Sequence, residues 1–108
     1  MDTEITVIEA RDLIVSEDIS NLQLIDVRPK ESFEKKTIDG FINMPVNEIS
    51  RQFQKLDGRK RTLLLCQDGS QSYKALKLLE SCGFKAQVIR GGLNDWNQII
   101  EQTSDSEV

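Results

Sequence analysis

The chain has 108 residues, 38% hydrophobic and 30% charged, which suits one globular domain and leaves no room for a second core. A net charge of -4, with acidic and basic residues interspersed, gives no electrostatic footprint for nucleic acid or an anionic membrane. Two cysteines and no histidine exclude a disulfide framework, most zinc sites and any Cys-His or Ser-His catalytic pair.

In chain order, short apolar strands alternate with amphipathic helices. This is the pattern of an α/β fold whose parallel sheet is covered by helices on both faces. The N-terminus is acidic, no apolar leader-like run follows it, and the longest apolar stretches are too short to cross a bilayer. A cytoplasmic protein that does not engage a membrane is therefore expected. Thr6-Val7-Ile8 reads as a first strand and residues 9–15 as a brief helix. Residues 22–26 form the second strand, ending on Asp26, and Pro29 suits the first turn of a helix, where its missing N–H costs nothing. Residues 41–44 read as a third strand, closed by Pro45.

Residues 46–55 follow as a helix, with apolar side chains at 46, 49, 53 and 56, and Asp57-Gly58 ends it. The basic run Arg59-Lys60-Arg61 reads as a solvated approach to a strand. Residues 62–66 are apolar almost throughout, as a strand buried on both faces should be, and mark the centre of the sheet. After a loop over 67–71, Tyr73, Leu76, Leu79 and Glu80 recur at helical intervals in residues 72–82, and Gly83 supplies the stop. Residues 86–89 are the fifth strand. Residues 93–102 are a last helix with Leu93, Trp96, Ile99 and Ile100 on one face. The domain thus spans 1–102, and 103–108 form a flexible acidic tail.

The informative feature is Cys66 at the carboxyl end of the central strand, followed by Gln67-Asp68-Gly69-Ser70-Gln71 and a helix opening at Ser72. Ligand sites of open α/β sheets lie at the carboxyl ends of strands. A loop folding back toward a helix N-terminus aims backbone N–H groups at one point, and the helix dipole adds partial positive charge there. A thiolate at that focus is stabilised and nucleophilic. Gly69 permits the positive φ that such a cradle requires. Read without that context, Cys66 is a small buried hydrophobe at a strand end.

Three segments resemble the rhodanese family, in order and at matching separations from about Val7 to Ile100. Leu24-Ile25-Asp26-Val27-Arg28, with Glu31, Phe33, Ile38, Gly40, Ile42, Asn43 and Pro45, is similar to the family's first signature. Leu64-Leu65-Cys66 with Gly69 and Ser72 resembles its active-site loop, and Val88-Ile89-Arg90-Gly91-Gly92-Leu93 with Trp96 its C-terminal signature. The resemblance implies a rhodanese-like three-layer fold with a central five-stranded parallel sheet. It also implies a Cys66 that cycles between thiol and persulfide, so that sulfur passes from a donor such as thiosulfate to a thiophilic acceptor. Gln67, Asp68, Gly69, Ser70 and Gln71 would form the substrate-binding loop, and Asp26, Arg28 and Ser72 would support it, with Asp26 and Arg28 as a structural pair. No metal or organic cofactor is implied. The expected partners are a small sulfur donor and acceptor, or a protein persulfide, and a monomer is the default.

Active rhodaneses commonly carry an arginine in this loop, where Gln67 and Gln71 stand here, and Asp68 adds a carboxylate expected to sit beside the sulfur. Thr37, Asp39 and Phe41 replace the usual His, Pro and Ala of the first signature. These departures keep open a non-catalytic rhodanese-like module that docks a partner or senses redox state. They disfavour a phosphatase or arsenate reductase on the same fold, which needs an arginine fork at the position of Gln71 or Ser72.

Overall fold

The computed structural model describes residues 3–16 and 19–101. The expected tail over 103–108, and residue 102, lie outside the described residues.

Five parallel strands form one sheet: β1 (Glu4–Ile5), β2 (Leu22–Asp26), β3 (Ile42–Asn43), β4 (Arg61–Leu65) and β5 (Ala86–Ile89), in spatial order β1-β5-β4-β2-β3. β4 is central, with Leu64 opposite Ile25 on one side and Val88 on the other. Strand periodicity of two sends its side chains alternately to opposite faces. Leu63 and Leu65 join a cluster with Ala10, Leu93 and Trp96, from α1 (Val7–Ser16) and α5 (Gly92–Trp96). Leu64 and Cys66 join the cluster of Ile49, Ala75, Leu76 and Leu79, from α3 (Ile49–Gln52) and α4 (Ser70–Ser81). The same alternation that buries both faces of the sheet therefore turns Cys66 toward α4.

Several element boundaries differ from those read in the sequence. The first strand is Glu4–Ile5, and Val7 and Ile8 belong to α1. Thr6 and Glu9 make a capping box: Thr6 N–H donates to Glu9 Oε1 at 3.0 Å, and Glu9 N–H donates to Thr6 Oγ1 at 3.1 Å. Two otherwise orphaned amides are thereby satisfied, and the β-branched run is held helical. Pro29 caps α2 (Lys30–Lys35), just outside its first turn. Residues 46–55 are α3 flanked by two 3₁₀ turns, yet Val46, Ile49, Phe53 and Leu56 all pack on one core as the spacing predicts. In α4 the buried face is Ser72, Ala75, Leu76 and Leu79, whereas Tyr73 turns outward and donates to Glu4 Oε2. A π turn over Asn97–Glu101 follows α5; there Ile100 continues the buried face and Ile99 is exposed.

Candidate active site

Cys66 follows β4 directly and is fully buried, with its Sγ accepting the Gly69 N–H at 3.0 Å. That contact requires the chain to reverse within three residues, and Gly69, at φ +96°, makes the reversal as the N-cap of α4. The carbonyls of the same loop face the other way. Cys66 C=O accepts from Leu93 N–H at 2.8 Å, and Gln67 C=O accepts from Asn94 N–H at 2.9 Å. These two amides open α5 and have no partner within that helix, so the loop and the helix satisfy each other. The fit depends on Gly92, where an added Cβ would lie 2.3 Å from the Cys66 carbonyl oxygen. The third signature segment is thus the backing plate of the cysteine loop.

Asp26 and Arg28 form a buried ion pair at 2.8 Å. Arg28 Nε donates to both Asp26 carboxylate oxygens at 3.0 and 3.2 Å, and its Nη2 donates to Asp26 Oδ2 and to the Lys36 carbonyl. Thr37 Oγ1 donates to Asp26 Oδ2 at 2.7 Å, so the threonine that departs from the first signature is absorbed into the ion-pair network. Asn43 Nδ2 donates to the carbonyls of Asp26 and Arg28 at 3.0 and 2.9 Å, bracing the turn after β2. Arg28 Nη1 reaches Gln67 Oε1 at 3.1 Å, and Gln67 Nε2 donates to Asn94 Oδ1 at 2.6 Å. Gln67 therefore ties the cysteine loop to both flanking signatures.

The remaining loop residues lie differently from the sequence expectation. Ser70 and Gln71 belong to the first turn of α4, which leaves a loop of Cys66 to Gly69. Asp68 is exposed, and its Oδ1 accepts from Ser70 N–H at 2.9 Å and from Ser70 Oγ at 2.7 Å. The backbone bond from Ser70, and then its hydroxyl, hold the Asp68 carboxyl below its ordinary range. The carboxylate is engaged by Ser70 at the start of α4. Ser72 is fully buried on α4, and its Oγ has no hydrogen-bond partner among the described residues.

Cys66 lines a cleft of about 670 Å³. Its polar and charged lining is Arg28, Ser32, Asn47, Gln67, Gln71 and Lys74, and its apolar lining is Val27, Pro29, Pro45 and Val46. Asp68 does not line it. Lys74 was absent from the sequence-based set of candidates, although its spacing of three from Gln71 puts both on one helix face. Among the described residues no group of three or more His, Cys, Asp or Glu side chains could hold a metal ion. No described helix is long and apolar enough to cross a membrane.

A buried cysteine that accepts one backbone amide at the carboxyl end of the central strand, locked by segments before and after it, matches known proteins. The rhodanese-like domain family matches residues 6–99. The chain belongs to that family. The rhodanese-like domain protein of Staphylococcus aureus superposes with a TM-score of 0.81 at 23% identity, covering 88% of this chain and 91% of that one. A rhodanese-related protein from Thermoplasma volcanium does so with a TM-score of 0.80 at 22% identity, covering 90% and 92%. Among curated relatives, the adenylyltransferase and sulfurtransferase UBA4 of Lodderomyces elongisporus is 38% identical, aligned to 90% of this chain and 24% of that protein. Bacillus subtilis YrkF is 30% identical over 77 residues, 70% of this chain. The chain spans 42% of YrkF and about a quarter of UBA4.

Proposed function

We propose that this rhodanese-like domain is a sulfurtransferase with Cys66 as its nucleophile. The observation that carries the reading is the Gly69 N–H on the Sγ of Cys66, a residue that lines a cleft, in a loop whose carbonyls at 66 and 67 are drawn off by α5. A backbone N–H aimed at this sulfur is equally placed to donate to a persulfide, which is an anion at its outer sulfur.

With thiosulfate as donor, the Cys66 thiolate attacks the sulfane sulfur. A Cys66 S–S bond forms, the bond from that sulfur to the sulfonate sulfur breaks, and its electron pair leaves on sulfite. The persulfide then yields its outer sulfur to a nucleophilic acceptor, and the pair of the S–S bond returns to Cys66 as thiolate. This is covalent catalysis by one residue. The relative named a sulfurtransferase supports the class of reaction. A protein persulfide is a second candidate donor, and a protein thiol a second candidate acceptor.

The absence of a loop arginine at Gln67 and Gln71 favours the competing reading, a docking or redox-sensing module without turnover. Intact-protein mass spectrometry after incubation with thiosulfate decides between them. A gain of one sulfur atom at Cys66, absent from Cys66→Ser, is expected for the enzyme; an unchanged mass is expected for the module.

A further inference from the structure

We infer that Lys74, from the second turn of α4, is the residue that binds the anionic group of the sulfur donor. The inference rests on the sulfurtransferase reading above and names the donor-recognition group of that same site.

Among the described residues two charged side chains line the cleft beside Cys66: Arg28 and Lys74. Arg28 is largely committed within the protein, with four of its five guanidinium N–H groups engaged and its charge paired. Its Nε and Nη2 are engaged by Asp26, Nη2 also by the Lys36 carbonyl, and Nη1 by Gln67 Oε1. The buried carboxylate of Asp26 offsets its charge at 2.8 Å. Lys74 has no ion-pair or hydrogen-bond partner among the described residues, and its ammonium is the cleft's uncompensated charge. The nearby carboxylate that would cancel it, Asp68, lies off the cleft and is taken by Ser70. Lys74 shares its helix face with Gln71, one turn closer to the sulfur, so a ligand oxygen can meet the Gln71 amide and the Lys74 ammonium together. A flexible ammonium suits this position because it acts as a point charge and does not demand the planar, two-pronged geometry of a guanidinium. Val27, Pro29, Pro45 and Val46 offer an anion no donor, and Ser32 and Asn47 offer neutral ones, so Lys74 on α4 supplies the unpaired positive charge.

Thiosulfate binding to the full chain carrying Cys66→Ser, which cannot react, tests this by amide NMR shifts of residues 67–71. Adding Lys74→Met should weaken binding by about fivefold to tenfold, the scale of one charge contact at a partly exposed site. Lys74→Arg should restore it to within about twofold, and Lys77→Met, an exposed lysine off the cleft, should leave it unchanged. With Cys66 present, Lys74→Met should lower kcat/KM for thiosulfate by the same factor, mainly through KM. Equal affinity with and without Lys74, an equal loss in Lys77→Met, or no saturable binding to the Cys66→Ser protein overturns the inference. Lys74-dependent binding without any sulfur gain on Cys66 supports Lys74 as the anion residue and removes the sulfurtransferase reading instead.

Discussion

The two cysteines stand at opposite ends of one helix, and the contrast between those ends shows what makes a thiol chemically useful. Cys66 precedes the N-terminus of α4, is fully buried, receives the Gly69 N–H and faces a cleft that contains Lys74. Cys82 is the C-cap of the same helix and is exposed, with Ser81 Oγ at 4.0 Å as its side-chain neighbour. Both are free thiols. The helix dipole favours negative charge at the first end and opposes it at the second. The ends also differ in support. The turn after Cys66 is packed against α5, whereas an added Cβ at Gly83, beside Cys82, would meet nothing within 4 Å.

The largest effect expected from this contrast is on activity. Cys66→Ser should cut sulfite release from thiosulfate by about a thousandfold or more, because no second residue can take the nucleophile's place. Cys82→Ser should stay within about twofold of the parent. Comparable losses in both variants would erase the distinction between the ends.

The next effect is on stability at the Cys66 end. Arg28→Met leaves the buried Asp26 carboxylate without its cation and frees Gln67 from one of its two anchors. A loss of about 3 to 5 kcal/mol in urea unfolding is expected. Gly92→Ala should cost about 2 to 4 kcal/mol, since the new methyl meets the Cys66 carbonyl and φ is +59°. Gly83→Ala has the strained φ without the clash and should cost only about 1 kcal/mol. A Gly83 variant as damaged as the Gly92 variant would show that packing against α5 does not distinguish the two turns.

The smallest effect concerns Asp68. Its folded carboxyl titrates below the ordinary 3.8, so its cap contributes fully above that value and is lost as pH falls through the lowered one. Thermal melts between about pH 5 and pH 3 should show this loss in the parent and not in Asp68→Asn, whose side-chain oxygen still caps Ser70. Thiosulfate turnover of Asp68→Asn should change by about twofold or less, because the carboxylate does not line the cleft. A tenfold gain would return Asp68 to the role of a charge set against the sulfur.

Much of the site was legible in the sequence because it is local. Strand periodicity placed Cys66 at the end of β4, and Gly69 announced a turn that only a residue tolerant of positive φ makes easily. The capping box at Thr6 and Glu9 was equally local, but the β-branched Thr6-Val7-Ile8 run obscured it, and the first strand was read two residues late. α4 likewise starts two residues before the position its apolar spacing predicts, since Asp68 serves as a cap only through the geometry of its own turn.

The sequence by itself determined the layer order and the central strand, which follow from periodicity, and its three signature segments pointed to Cys66 and to the pairing of Asp26 with Arg28 through their resemblance to one family. Tertiary structure alone decided which charged side chains line the cleft beside Cys66. Asp68, two residues from Cys66, caps a helix and is not among them, while Lys74, eight residues on, is. It likewise decided that Gln67 joins Arg28 to Asn94, groups separated by 66 positions and brought together by neighbouring parallel strands. The physical reason is that charge acts through distance and orientation in space, and a parallel sheet gathers its strand ends into one place whatever their order along the chain.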